Sequence, residues 1–303
     1  MQHIRFFRYI DVVARTGSIR RAAEVLNVAS SAVNRRILDI EEELGTQLFD
    51  RLPRGVRLSH AGELFVNYIR RQTAELERVS SEIEDLRGVR RGVVRVATIE
   101  GLAVQFLPRE MQVFRQLHPK VRFHTTICGR EDVLRHLHEF EADIGLVFNP
   151  PADPDIRGLA EMQLRLCALV TPDHPLTRKD KVRLSDCLAY PLALPDMSMG
   201  GRLLLNDYLA RSSLKLDVAL ESNSYEMMKA FARFSGGVCF QISLGVAQGG
   251  DSNDLVALPL QDRGLASGRL VLCMSRSRPL PVATARFVEQ LRNAFEATVD
   301  RMT

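Results

Sequence analysis

Apolar residues recur at helical spacing through the first sixty positions. Phe6, Ile10 and Val13 share one face over residues 3–15, with Phe7 and Ala14 beside it, which predicts a helix. Thr16-Gly17-Ser18 stops that helix and offers Ser18 as N-cap of a short one over 19–26, with Ala22, Ala23 and Leu26 inward. Two adjacent alanines allow a close helix crossing. Asn27-Val28-Ala29 is the turn. Ser30 is then expected to cap a helix running to about Glu43, with the stripe Val33, Ile37, Ile40 and Leu44 and with Gly45 as its C′ residue. Leu48 and Phe49 pack back on this core, and residues 51–58 alternate about a Pro-Arg-Gly turn, which fits a short β-wing. Two helices joined by a tight turn, the second polar at its start, make the helix-turn-helix pattern.

Residues 60–87 read as one long helix, first with Ala61, Leu64, Phe65, Tyr68 and Ile69, then with the stripe Leu76, Val79, Ile83 and Leu86. Such a stripe needs a partner, and the same helix of a second copy is the simplest, as in a coiled-coil dimer. Gly88 to Gly92 is a hinge of glycines and arginines. Beyond it the pattern changes to short apolar runs between helical stretches. Strands are expected at 93–97, 121–127, 144–148, 164–171, 192–194, 216–220, 236–242, 255–258 and 268–274, and helices at 102–117, 130–140, 202–211, 224–234, 244–248 and 282–300. Such alternation implies mostly parallel sheets.

The expected fold is therefore α/β overall. An N-terminal all-α winged helix-turn-helix (1–59) leads to a long linker helix (60–88), then to a two-lobe α/β domain (93–303) built like a periplasmic binding protein. Lobe one comprises 93–164 and 268–303, and lobe two 165–267, so the chain crosses twice and leaves a cleft.

Composition adds less. The chain is 46% hydrophobic and 26% charged, as in an ordinary protein with buried cores, and its net charge of +4 is too mild to prove a nucleic-acid partner. The distribution is more telling: residues 1–60 hold ten Arg and no Lys against seven acids, with the acids at 39 and 41–43 clustered at one helix end. A GC-rich genome accounts for arginine usage as readily as phosphate binding does. The N-terminal stretch is amphipathic and interrupted by charge, unlike a secretory signal, and no apolar run approaches ~18 residues, so a cytoplasmic protein that spans no membrane is expected. The five cysteines (128, 167, 187, 239 and 273) are dispersed, with no CxxC pair, which suits a reducing compartment and small buried side chains. No cofactor and no metal site is expected. His136 and His138 are two apart on a helix and make a poor metal pair, and no Gly-x-Ser-x-Gly, His-Glu-x-x-His or phosphate loop suggests an enzyme.

Ala22-Ala23, Leu26, Val28, Ser31-Ala32-Val33, Ile37, Ile40-Glu41, Leu44-Gly45, Leu48-Phe49 and Arg51 together resemble the N-terminal signature of LysR-type transcriptional regulators, and Leu58-Ser59 with Ala61-Gly62 resembles the opening of that family's linker helix. The order of parts also fits. The resemblance is specific over 6–65 and architectural beyond about 90. Ser30-Ser31 stand where the family usually carries Gln-Pro, and Asn34 where Ser is commoner, so the reading surface departs from the family's usual wording.

The expected function is a sequence-specific DNA-binding regulator controlled by a small-molecule effector in the cleft, and not an enzyme. The alternative is a two-lobe small-molecule binding protein without a direct transcription role. Ser30, Ser31, Asn34 and Arg35 are expected to face bases of double-stranded DNA, Ser30 competing with its capping duty. Arg20 and the wing arginines Arg51, Arg54 and Arg57 are phosphate candidates, while Arg36 faces phosphate or solvent. Four helix starts are candidate effector corners: Thr98 to Gly101 with Glu100, Cys128 to Arg130 with Gly129, Ser198 to Gly201, and Asn223-Ser224. Glu100 disfavours a simple anion; it pairs with Arg130 or receives a ligand amine. The resemblance supports these corners and adds Phe148-Asn149 and Gln241. It also implies homodimers or homotetramers, with RNA polymerase as a further partner.

Overall fold

The structure is a computed structural model that describes residues 2–86, 91–245, 255–263, 265 and 267–302. The Phe6 side chain, most of the expected 88–92 hinge and most of the expected 244–248 helix fall outside the described residues. The chain divides into two compact units after Ser80, with Ser277–Pro279 grouped with the first.

The first unit holds α1 (Gln2–Thr16), α2 (Ile19–Leu26), α3 (Ser30–Leu44), the hairpin β1 (Phe49–Leu52) and β2 (Gly55–Leu58), and the start of α4 (His60–Leu86). Ser18 Oγ accepts a hydrogen bond from the Arg21 amide, which satisfies one of the free donors that begin α2. Asn27 adopts a left-handed φ of 54° and Gly45 one of 65°, ending α2 and α3. Ile10, Val13, Ala22, Ala23, Val33, Ile37, Leu48, Phe49, Val66 and Ile69 form the core.

Two expectations for α3 need correction. Ala29, not Ser30, occupies the N-cap, with no side-chain cap bond, and Ser30 is the first helical residue and exposed. The hydroxyl is one position too late to turn back on the helix. Leu44 is also exposed rather than part of the stripe. The last turn of α3 is held through Glu41 instead, whose Oε1 accepts from the amides of Leu48 (2.7 Å) and Phe49 (3.1 Å).

In the second unit the chain runs β3 (Arg91–Thr98), α5 (Glu100–Ala103), α6 (Phe106–Leu117), β4 (Lys120–Ile127), α7 (Arg130–His138), β5 (Ile144–Phe148) and β6 (Ile156–Leu164). It continues through β7 (Leu166–Val170), α8 (Leu184–Cys187), β8 (Leu192–Pro195), α9 (Gly200–Leu209), β9 (Val218–Ser222), α10 (Tyr225–Ser235), β10 (Val238–Ile242) and β11 (Val256–Pro259). It closes with β12 (Gly268–Ser275) and α11 (Val282–Met302). Two five-stranded sheets result, ordered β4-β3-β5-β12-β6 and β11-β7-β10-β8-β9.

The sheets are mixed, not mostly parallel. β3 pairs in parallel with β4 and β5, and β8 with β9 and β10, but every pairing of β7 and β12 is antiparallel. The strand expected over 164–171 is two strands in different sheets, separated by Arg165, and β6 lies where no element was expected. The helix expected over 102–117 is interrupted at Val104-Gln105. Pro108 explains the break: without an N–H it is tolerated in the first turn of α6 but not inside one continuous helix. No described helix is long and apolar enough to cross a membrane.

Candidate nucleic-acid interface and ligand cavity

The start of α3 presents Ser30, Ser31 and Arg35 to solvent, and Asn34 half-buried beside them. The Asn34 carboxamide is oriented from the wing, because Arg51 Nη2 donates to its Oδ1 at 3.0 Å. Arg51 is therefore a neighbour of the base-reading candidates as well as a wing cation. Arg20 pairs with Glu24, Arg36 with Asp39 and Arg57 with Asp50, all at exposed positions. Arg35 and Arg54 have no ion pair or hydrogen bond among the described residues.

The wing is placed by two contacts that helical periodicity does not show. Register Leu52↔Gly55 makes Pro53-Arg54 a two-residue turn. Gly55 then takes φ 112°, and a Cβ there would stand 2.4 Å from the Gly17 carbonyl oxygen. The amide of Val56 donates to that same oxygen at 2.9 Å. Only glycine admits this approach, so the wing rests against the turn between α1 and α2.

Between the two sheets of the second unit lies a cavity of about 310 Å³, lined by Ile99, Glu100, Ile127, Cys128, Gly129, Phe148, Ser198 to Gly201, Asn223, Tyr225 and Ile242. That is within the roughly 300–1,000 Å³ range of small-molecule sites. Of the positions nominated from the sequence, Glu100, Gly129, Phe148, Ser198 and Asn223 line it, together with Ile99, Cys128 and Met199 to Gly201 from the same corners. The Phe148 ring is fixed by two glycines. A Cβ on Gly268 would fall 1.9 Å from Phe148 Cζ, and one on Gly200 2.7 Å from Phe148 Cδ1. Ser198 donates to Asp196 Oδ1 at 2.6 Å.

Four candidates are placed elsewhere. Thr98 ends a central strand, fully buried, and its hydroxyl reaches only the Ile99 carbonyl. Arg130 turns away to the Asn149 carbonyl (3.2 Å) and Glu131 (3.6 Å). Asn149 is locked to Arg269 by its amide and its Oδ1, at 2.7 Å each. Gln241 is buried outside the cavity wall, its Oε1 without a hydrogen-bond partner. Among the described residues Glu100 pairs with neither Arg130 nor any other cation. Its carboxylate accepts from Ser224 Oγ (3.0 Å) and the Tyr225 amide (2.8 Å), so it caps α10. Ile127, Tyr225 and Ile242 also line the cavity and carry no signal of it in the sequence beyond adjoining an expected position.

Burial sets the thiols apart from reactive cysteines. Burial, reinforced by the nearby Asp132 carboxylate, pushes the Cys128 thiol up to about 11. Burial alone is the leading cause that raises Cys167, Cys187, Cys239 and Cys273 to about 12. Elsewhere His138, Asp153 and Asp155 come together, with His138 Nε2 2.7 Å from Asp153 Oδ2 and Asp153 Oδ1 taken by the Asp155 amide. These bonds tie the end of α7 to the segment before β6.

A helix-turn-helix with a wing, followed by a two-lobe ligand-binding domain, defines a DNA-binding transcription regulator. The comparisons carry this to a family. Residues 4–63 match the model of the bacterial regulatory helix-turn-helix protein, lysR family, and residues 87–296 that of the LysR substrate binding domain. The transcriptional activator CmpR of Synechocystis sp. is 25% identical over 285 residues, 94% of this chain and 93% of its own. A probable nitrogen assimilation transcriptional activator of the same genus is 30% identical over 70% of this chain and 69% of its own. Among solved structures, a full-length OxyR variant from Pseudomonas aeruginosa aligns with a TM-score of 0.70 at 20% identity, over 95% of this chain and 94% of its own. CbnR complexed with its target DNA aligns at 0.60 and 20% identity, covering 96% of this chain and 99% of its own. The chain belongs to the LysR family of transcriptional regulators and is not an enzyme.

The raised Cys128 thiol has a kinetic consequence. Its thiolate should be roughly 100-fold scarcer near neutral pH than in an unperturbed cysteine. Iodoacetamide labelling followed by peptide mass spectrometry should show correspondingly slow modification that accelerates with each added pH unit. Rapid labelling of Cys128 at neutral pH would contradict the assignment.

Proposed function

We propose that this regulator reads its operator with Ser30, Ser31, Asn34 and Arg35 at base edges, and holds the backbone with Arg20, Arg36, Arg51, Arg54 and Arg57. The observation that carries this is the exposed start of α3, where the unpartnered Arg35 follows an Asn34 already oriented by Arg51 of the wing. Ser30, freed from capping, is available to a base. Residues 1–59 serve as the DNA-binding head, 60–88 as a linker that dimerises, and 93–303 as the effector domain. The cavity receives the effector. A ligand shifts the regulator only by the difference in its affinity for two lobe arrangements. That shift changes the spacing of two heads on half-sites and their presentation to RNA polymerase. The protein works in the cytoplasm, as a dimer or a pair of dimers.

The DNA roles separate by experiment. Replacing Asn34 by Ala should lower discrimination between operator and scrambled DNA by about 1–3 kcal/mol. An unchanged specificity ratio would remove Asn34 from the reading surface. By contrast, Arg54→Ala should weaken both DNAs alike and reduce the salt slope by about one counterion. A loss confined to operator DNA would instead make Arg54 a base reader.

The linker role rests on the apolar stripe of α4. Leu76 (40% exposed), Ile83 (47%) and Leu86 (88%) are far more open than core leucines and isoleucines. Leu76→Asp with Ile83→Asp should turn dimers into monomers in sedimentation equilibrium. An unaltered mass would place the dimer contact elsewhere.

A further inference from the structure

Glu100 is the charged residue in the wall of the interlobe cavity, and none of the lining residues is a Lys, Arg or His. The arginines adjoining lining residues are committed elsewhere. Arg130 reaches Asn149 and Glu131, and Arg202 reaches the Pro195 carbonyl and Glu221 at 2.9 and 2.8 Å. A second carboxylate, Asp196, stands immediately behind Ser198 and takes both its hydroxyl and its amide. The wall also carries the apolar side chains Ile99, Ile127, Phe148, Met199 and Ile242, with Ser198, Asn223 and Tyr225 as its uncharged polar ones.

The position of Glu100 is as informative as its sign. It belongs to the first sheet's side of the cleft, yet its two oxygens cap α10, on the other side. The free N–H groups that begin a helix are the natural seat for an anionic ligand. In this protein that seat at α10 is filled by the chain's own carboxylate. The same two hydrogen bonds satisfy both Glu100 oxygens without a ligand donor, but they come from uncharged groups and do not cancel its negative charge.

Given that the cavity is the effector site, we infer that it selects an uncharged, largely apolar small molecule carrying a carbonyl or hydroxyl oxygen, and rejects carboxylates. A carboxylate ligand would have to lie near Glu100 in a partly enclosed site whose lining holds no Lys, Arg or His, with only the starts of α7 and α9 to set against the repulsion between like charges a few ångströms apart. An uncharged oxygen meets no such penalty and has Ser198 and Asn223 as polar neighbours.

Three fluorinated probes of similar size test this by fluorine NMR titration of the full-length protein at neutral pH: 4-fluorobenzamide, 4-fluorobenzoate and 4-fluorobenzylamine. The uncharged amide should bind at least roughly tenfold more tightly than the carboxylate. The near-isosteric Glu100→Gln variant should narrow that gap. Equal or tighter binding of the benzoate by the unaltered protein, or tightest binding of the benzylamine, would overturn the inference while leaving the cavity as the effector site. Binding of none of the three, or binding undiminished when Ser198→Trp fills the cavity, would overturn the effector site and the inference with it.

Discussion

One strand delivered from the far end of the chain, β12, is the element on which the second unit depends. It lies between β5 and β6 and is antiparallel to both, and β6 has no other strand neighbour. Its insertion requires the chain to return to the first sheet after building the second. Two crossings follow, one at Arg165 and one between Leu260 and Gly268, and two crossings leave a cleft rather than a continuous interior. The start of β12 also shapes that cleft. Gly268 gives the Phe148 ring its space, and Arg269 fastens Asn149 directly beyond it. A larger residue at 268 would drive the ring from the cavity wall before any ligand arrived.

The first unit relies on comparably small devices. Glu41 reads as one of a cluster of acids, yet it satisfies two backbone donors where the chain leaves α3 for β1. Gly55 and Gly17 then let the hairpin meet the α1–α2 turn at backbone distance. The wing thus approaches α3 with little freedom, which is what allows Arg51 to reach Asn34.

Local chemistry was legible in the sequence wherever a residue acts on its own neighbours. The Ser18 cap, the left-handed Gly45, the wing turn and the long α4 all follow from spacing and side-chain type. What resisted reading depends on distant partners. Leu164 and Leu166 to Val170 form one apolar run because both β6 and β7 end in buried positions, so nothing in the run marks the change of sheet. Antiparallel insertion of β12 leaves no periodic trace either. At the cavity, helix starts identified the corners, but not which side chains face inward. Arg130 and Gln241 lie beside lining residues and still point elsewhere, since a helix or strand turns successive side chains in different directions.

The two sites differ in how their charges are held, and this difference bears on how each works. At the DNA-facing surface the pairs Arg36–Asp39, Arg57–Asp50 and Arg20–Glu24 are solvent-exposed contacts. Exposed pairs contribute little to stability and are screened by salt, so such arginines can exchange their partners for phosphate at small cost. Glu100 is the opposite case. Its two oxygens each hold a donor of α10, and displacing it would leave a helix start without its acceptor inside a partly enclosed site. A ligand must therefore accommodate Glu100 rather than replace it, whereas DNA meets a surface whose ion pairs are readily traded.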